Sequence, residues 1–389
     1  MEGGESMKEK KPEYSIPELL YKQDKKILYS NPERIQNEVL QTILSKNAPT
    51  RFGREYLFNE ITDMADFKTY VPLSLYSDIH PYVQAMISGM TNTLVTEPIR
   101  AWAKTIGICG QMRLIPYTQS VSRGIIDAFL LLYTACAAHN LIGDDQKIFS
   151  GLESPCTDTL GTVPVETLSS LGLRDLTRTP GMGPVLTPSP GTTGIADIEK
   201  RWKEIALQSS AQNVGGIMED PVLFLMFIKN VMNHECPHID ELWPQVSLFI
   251  SHDGINPYQS TLKALFDTLA FRQIMCTDDI PVAVQIDSQI DCVPLSNQHV
   301  FEFIPVKEWK DMEEEGEHYR EFEFSPRYLS TTIPEEEYIL VITTSGGLYR
   351  YVPGDIVTMG DHHHMKRVGC ISIREKRRSY TSPTVLVHH

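Results

Sequence analysis

Basic residues are in short supply in this chain. Its 389 residues contain 35 Lys and Arg against 50 Asp and Glu, a formal net charge of -15. A protein that grips a nucleic-acid backbone neutralises phosphates with clustered Lys and Arg, so this deficit argues against a nucleic-acid partner. Cysteine is sparse as well. The seven cysteines (Cys109, Cys136, Cys156, Cys236, Cys276, Cys292 and Cys370) are scattered, odd in number and never spaced C-x-x-C. That pattern excludes a disulfide framework and a zinc knuckle, and it predicts a reducing, cytoplasmic setting. Long apolar runs are missing too. The longest, Ala128–Ala138 and Val222–Ile228, fall short of the roughly 20 residues of a bilayer span, so both are read as buried core helices with no membrane partner. The opening MEGGESMKEKKPEYS has no apolar h-region of the kind a secretory signal needs. No internal repeat and no G-x-S-x-G nucleophile elbow occur. The metal-type clusters His234–His238 and Asp361–His364 have no partners at zinc spacing.

What is there is an ordinary globular composition, 41% hydrophobic and 22% charged, on a chain long enough for two or three domains. Residues 1–15 read as a disordered tail. Asn31-Pro32 then opens a helix, Asn as the cap and Pro at the first helical position, with Ile35, Val39, Leu40, Ile43 and Leu44 as its buried stripe. A strand-turn-strand pattern spans Ala101 to Tyr117, and an apolar helix follows from about Ile125 to Ala138. Residues 151–195 are rich in Gly, Pro, Ser and Thr and read as a loop covering the surface. Helical pattern returns at Ala196–Gln208, and Val246–Ser251 reads as a buried strand. The last third turns strand-rich: His299–Val306, then strand, turn, strand, turn, strand over Glu337–Met359. Between them EWKDMEEEGEHYREFEF reads as a charged, exposed connection. The fold class is α/β, helix-flanked β-sheets with a β-rich terminal subdomain at about 296–360.

Three stretches have the residue types of a nucleotide site. In KTIGICGQMRLIPYT, Gly107 and Gly110 sit in a turn between strands. A turn of this kind exposes backbone N–H groups to phosphate, with Arg113 supplying positive charge; the plainer reading is a turn and nothing more. In SGGLYRYVPGD, Asp355 follows a Pro-Gly turn at a strand start, where a carboxylate can accept from vicinal hydroxyls or merely complete the turn. CTDDIP puts Asp278 and Asp279 side by side before a hydrophobic strand, with Asp279 a candidate Mg²⁺ ligand and a solvated turn the alternative. Ser189–Gly194, S-P-G-T-T-G, looks like a phosphate loop but lacks the basic residue such loops use.

Taken in order, five segments carry a resemblance. They are NAPTRFGREYLFNEITDMADFKTYVPLSLYSDIHPY, EPIRAWAKTIGICGQMRLIPYT, ELWPQVSLFISHDGINPY, LSNQHVFEFIPV and TTSGGLYRYVPGDIV. The chain resembles, from about Asn31 to Lys376, the plant auxin-responsive Gretchen Hagen family of acyl-acid amido synthetases, within the firefly-luciferase-like adenylate-forming enzymes. The resemblance implies the large N-terminal region of such an enzyme over 16–360. It implies a reaction in which a carboxylate attacks the α-phosphate of ATP with Mg²⁺, and an amino acid then displaces AMP. A small carboxylic acid and an amino acid are the implied substrates.

By the same resemblance Thr105, Gly107 and Gly110 hold phosphate, Arg113 neutralises its charge and Asp279 serves the metal. Tyr351 and Gly354 support the nucleoside, and Asp355 takes the ribose hydroxyls. Departures from the family pattern are as visible as the matches. Ile106, Ile108 and Cys109 stand where hydroxyl residues are usual, and Arg113 stands for a Lys. Each lost hydrogen bond to a charged phosphate weakens binding by about 1.5–3 kcal/mol. Asp278, Asp279 and Ile280 replace a Ser-Glu-Gly, Val352 an Arg and Asp253 a Gly. The chain reaches SIREKRRSYTSPTVLVHH, so 361–389 is read as a hinge remnant without the family's C-terminal lid domain. That leaves a second expectation open: a truncated, diverged relative that keeps the fold and acts as a binding protein.

Overall fold

Strands buried on both faces need apolar side chains at every position, and three short runs here have them. Ile148 and Phe149, Ile217 and Met218, and Leu248, Phe249 and Ile250 alternate between two separate cores. Ile148, Met218, Leu248 and Ile250 face one core with Phe129 and Leu132. Phe149, Ile217 and Phe249 face the other with Trp202, Phe224 and Trp243. That is the signature of a parallel sheet covered by helices on both sides.

The computed structural model describes residues 22, 26 and 31–371, apart from 107–111, 154–157, 196, 235–238, 253–254, 267, 289–290 and 361–363. Its strands form three sheets. The first has β1 (Ala101–Ile106), β2 (Met112–Tyr117), β4 (Asp158–Leu160) and β5 (Val163–Thr167), in the order β2-β1-β5-β4. The second contains β3 (Lys147–Phe149), β6 (Leu186–Thr187), β7 (Val214–Met218), β8 (Leu248–His252), β9 (Ala270–Thr277), β10 (Ile280–Val284) and β11 (Val293–Pro294). Its order is β11-β10-β9-β8-β7-β3-β6, parallel from β6 to β9. The third is antiparallel: β12 (Val300–Pro305), β13 (Glu337–Thr343), β14 (Asp355–Met359) and β15 (Met365–Cys370). This is the mixed α/β architecture expected, with its β-rich end.

The principal helices are α1 (Pro32–Asn47), α2 (Tyr76–Ile87), α3 (Gln119–Ala138), α4 (Leu168–Arg178), α5 (Ile198–Ser210), α6 (Pro221–His234) and α7 (Val306–Glu315). Asn31 caps α1 as expected, its side chain accepting from the Arg34 N–H at 3.1 Å. The apolar helix α3 is longer than its apolar run, 20 residues, with Ala128, Phe129, Leu132 and Ala135 in the core. Among the described residues Cys136, Cys276 and Cys292 are buried free thiols and Cys370 is an exposed one.

Four readings change. Residues 151–195 are not a covering loop: they supply β4, β5, β6 and α4. Their Gly, Pro, Ser and Thr punctuate short elements, while Leu168, Leu171 and Leu176 form the buried stripe of α4. The charged connection after β12 begins with a helix, α7, which buries Trp309 and Met312 beneath its acidic face. The middle strand expected before Pro353 is reduced to bridges from Tyr351 to Ile342 and Ser74. The terminal sheet also runs past residue 360, since β15 pairs with β14 where a hinge was expected.

The seven-stranded sheet positions the site. Strand β3 has β6 on one side and β7 on the other, so the chain changes direction about β3. In open α/β sheets ligands bind at such a switch point, beyond the C-terminal ends of the strands.

Candidate active site at the hairpin tip and the strand ends

The hairpin β9–β10 closes through two residues, Asp278 and Asp279, with Thr277 paired to Ile280. Both aspartates have positive φ, 45° and 64°. Two-residue hairpins need this left-handed geometry to match strand twist, and Asp is one of the few non-glycine residues that tolerates it. The turn is therefore fixed, and it sends its two carboxylates into different surroundings.

Asp278 is buried in an ion pair. Arg113 Nη1 donates to its Oδ2 at 2.7 Å and its Oδ1 at 2.9 Å, and also donates to the Tyr351 hydroxyl at 2.6 Å. The Tyr351 hydroxyl donates onward to Asp278, and the Arg113 guanidinium lies 5.6 Å from the centre of the Tyr76 ring. Burial, then the Asp278 charge, pushes the Tyr351 phenol well above its ordinary range. Charges out of water are tolerated only when paired and hydrogen-bonded, as here. This contact joins two residues of the expected nucleotide site, Arg113 and Tyr351. Arg113 bonds Asp278 and Tyr351, and the Tyr351 hydroxyl faces this ion pair. Both act as positioning residues for the turn.

Asp279 faces the opposite environment. Burial raises its pKa, the Thr105 hydroxyl opposes that by hydrogen bonding, and the Glu153 and Asp278 charges raise it further. Thr105 lies on β1, one residue before its end, so the expected phosphate segment and the expected metal acid do meet. Gly107 and Gly110 lie outside the described residues. Asp355 begins β14 after Gly354, whose φ of 108° only glycine adopts readily. Its Oδ2 accepts from the Thr277 hydroxyl at 2.5 Å, and Arg367 Nε stands 3.0 Å from its Oδ1. Asp355 is thus tied to the residue just before the turn, with both carboxylate oxygens engaged.

Beside Asp279 opens a cavity of about 520 Å³ at the C-terminal ends of β3, β7 and β8. One wall is apolar, from Ile125 and Phe129 of α3, Leu176 of α4, Met218 and Ile274. Gly172 of α4 lets the two helices close on each other: a Cβ there would stand 2.9 Å from Ile125 Cγ2. The remainder is polar and mostly acidic. Glu153 accepts from the Thr167 hydroxyl at 2.8 Å and from Ser169, Glu166 pairs with Arg174, and His252 ends β8. Glu219, directly after β7, is 5% exposed and accepts the N–H groups of Gly151 at 2.5 Å and Leu152 at 2.9 Å. Burial raises its pKa to about 8 against the pull of those two N–H groups, with Glu153 and Asp220 adding to the rise.

Sequence reading missed Glu219, Glu153, Glu166 and Arg174. The available signal was a buried strand, VGGIM, ending directly in an acid, the place where α/β sheets keep functional side chains. Thr193 and Gly194, from the Ser189–Gly194 stretch set aside as a false phosphate loop, also line the cavity. The cluster His234–His238 and the run Asp361–His364 fall largely outside the described residues. Among the described residues no group of three or more His, Cys, Asp or Glu side chains is arranged to hold a metal.

Comparison with known proteins gives this geometry a family. An indole-3-acetic acid-amido synthetase of Arabidopsis thaliana, GH3.2, is 23% identical over 409 residues, covering 86% of this chain and 72% of its own. GH3.4, a second such synthetase from that plant, is 22% identical, and the chain spans 66% of its length. Among solved structures, the AtGH3.15 acyl acid amido synthetase in complex with 2,4-DB superposes with a TM-score of 0.77 at 19% identity, over 94% of this chain and 72% of that one. A 2-hydroxyisobutyryl-CoA ligase in complex with 2-HIB-AMP and CoA follows at 0.59 and 10% identity, over 86% and 66%. These likenesses show the adenylate-forming fold. Residues 25–197 match the GH3 family N-terminal domain and residues 292–366 the GH3 family central domain. Two domains of one family, in order and together spanning more than half of the sequence, establish that the chain belongs to the GH3 family.

Proposed function

We propose that this chain adenylates a small carboxylic acid with ATP, as the first half of an amide-forming ligation to an amino acid. The observation that carries the reading is convergence on one hairpin. Thr105, Asp279 and Asp355 come from segments far apart in sequence, yet Thr105 bonds Asp279 and Thr277 bonds Asp355 across a single turn. The turn borders the 520 Å³ cavity, which has the size and the apolar wall that a small acid requires. Relatives named as indole-3-acetic acid-amido and jasmonoyl-L-amino acid synthetases support the reaction class.

In this reading the acid lies in the cavity with its carboxylate toward the hairpin. The carboxylate oxygen attacks the α-phosphorus of ATP, pyrophosphate leaves, and an amine later attacks the acyl carbon to release AMP. Gly107 and Gly110, outside the described residues, are assigned to the phosphates by the family resemblance alone, and Thr105 adds a hydroxyl beside Asp279. Asp355 accepts from the ribose hydroxyls, which replace the Thr277 and Arg367 donors there. Arg113 and Tyr351 hold Asp278, and through it the shape of the turn. Mg²⁺ meets a donor set of one aspartate, Asp279; such ions are commonly bound by one or two carboxylates with substrate phosphates completing the shell, so the site fits. When bound, the ion neutralises phosphate charge as pyrophosphate departs. A reducing compartment such as the cytoplasm suits the buried thiols Cys136, Cys276 and Cys292.

The test is pyrophosphate exchange into ATP over a panel of carboxylic acids, with calorimetric titration of Mg-ATP on the same sample. Acid-dependent exchange is the expected result. A folded protein that binds no ATP would overturn the reading, and the diverged binding protein would take its place.

A further inference from the structure

The cavity is more acidic than an anionic substrate would choose, and one of its carboxyls is only half used. Glu219 closes β7 with Oε1 accepting from Gly151 and Leu152. Its Oε2 takes part in no bond among the described residues, although the side chain is 5% exposed and lines the cavity. We infer that Glu219 is the specificity-determining anchor of the acyl cavity and that it selects carboxylic acids bearing a protonated amine, received by Oε2. The inference rests on the cavity being the acyl site.

The charges around Glu219 favour a cation at that oxygen. Glu153, from the segment after β3, and Asp220, next in the chain, both add negative potential. Asp279 of the hairpin also lines the cavity, where His252 of β8 opposes its charge. Of the arginines on α4, Arg174 is bonded to Glu166, and Arg178 lies exposed at the margin. An ammonium group placed at Oε2 therefore meets a buried carboxyl with acidic neighbours, where a charge-assisted hydrogen bond is strong. An alkyl group at the same place leaves that oxygen without a partner, the arrangement that discriminates most sharply between near-isosteric substrates. Burial keeps Glu219 protonated near neutral pH. Ammonium binding reverses this: the carboxyl O–H breaks, its proton passes to buffer, and the carboxylate takes the ammonium hydrogen.

The experiment compares 4-(aminomethyl)benzoate with 4-ethylbenzoate, acids of nearly equal shape that differ in the ammonium group. Calorimetry at pH 7 in phosphate and in Tris, whose ionisation enthalpies differ, reads proton release on binding. Pyrophosphate exchange reads kcat/KM. The aminomethyl acid is expected to bind at least tenfold more tightly, releasing about one proton, since a group titrating near 8 is mostly protonated at pH 7. E219Q, which keeps shape and loses the charge, is expected to erase both the preference and the proton release. Equal binding of the two acids by the wild-type protein overturns the inference, as does a preference that survives in E219Q, or a Glu219-dependent signal with Mg²⁺ alone. Binding is read without ATP, so a Glu219-dependent preference with no exchange upholds the inference while sinking the proposed reaction. Exchange without the preference does the reverse.

Discussion

Asp278 and Asp279 are adjacent in sequence, share one tight turn, and serve opposite ends of the site: the first pairs with buried Arg113, the second bonds Thr105 beside the cavity. The alternation follows from the turn geometry, which holds both residues at positive φ and splays their side chains.

Substitution at the two positions is expected to divide stability from function. Asp278→Asn leaves the Arg113 guanidinium buried without a counter-charge and should destabilise the fold by about 3 kcal/mol, the usual cost of breaking a buried pair. Asp279→Asn removes a carboxylate that burial already disfavours, so unfolding by denaturant should change by less than about 1 kcal/mol while exchange activity falls at least a hundredfold. Equal loss of stability in both variants would contradict this division.

Asp355 is assigned to the ribose although Thr277 and Arg367 now occupy it. Asp355→Ala should weaken Mg-ATP affinity at least tenfold in calorimetric titration, the scale of a lost charged hydrogen-bond pair. The fold should survive, because Arg367 is partly exposed and can turn to water. Unchanged affinity in a folded variant would remove Asp355 from the nucleotide site.

Two buried groups give the stability an unusual pH dependence. Burial, opposed by a hydrogen bond with the Pro281 carbonyl, lowers His299 to about 4 from 6.5. The unfolded chain takes up that proton first, so stability falls as pH drops from 6.5 to 4. Glu219, raised to about 8 from 4.5, keeps a proton the unfolded chain has shed, so stability falls as pH rises from 4.5 to 8. The two slopes oppose each other up to pH 6.5, above which Glu219 acts alone. At about 1.4 kcal/mol per pH unit, the loss between pH 6.5 and 8 is about 2 kcal/mol. Denaturant melts of wild type and E219Q across that range should differ by this amount, with the variant flat. Parallel curves would show that Glu219 titrates normally.

The contact between α3 and α4 sets the width of the cavity. Gly172→Ala places a methyl 2.9 Å from Ile125 Cγ2, and overpacking of that kind costs about 1–3 kcal/mol. The KM for the acid should shift in the same variant, and Ile125→Ala on top of it should recover stability. A Gly172→Ala protein with wild-type stability would mean that the helices separate freely.

Much of this was legible in residue order. Asn31-Pro32 marked the start of α1, the alternation of His299–Val306 marked β12, and the segments bearing Thr105, Asp279 and Asp355 were recognisable as parts of one site. The Gly-, Pro- and Ser-rich composition of 151–195 concealed α4, since short elements separated by turn residues look like loop when apolar periodicity is brief. Glu219 was invisible for a different reason. An acid after a strand is ordinary, and only the packing of β3 against β7 encloses it beneath Gly151 and Leu152.

Local chemistry, which depends on neighbours within a few residues, determined the strands, the caps, the left-handed Asp-Asp turn and the family likeness. Which charges cancel was decided by the tertiary structure. Arg113 and Asp278 lie 165 positions apart and Thr277 and Asp355 78 apart, and the field at a buried carboxyl depends on everything the fold brings within a few ångströms. The same fold paired Arg113 with an aspartate, tied Asp355 to a threonine, and placed Glu219 in the cavity wall with its bonds on one oxygen.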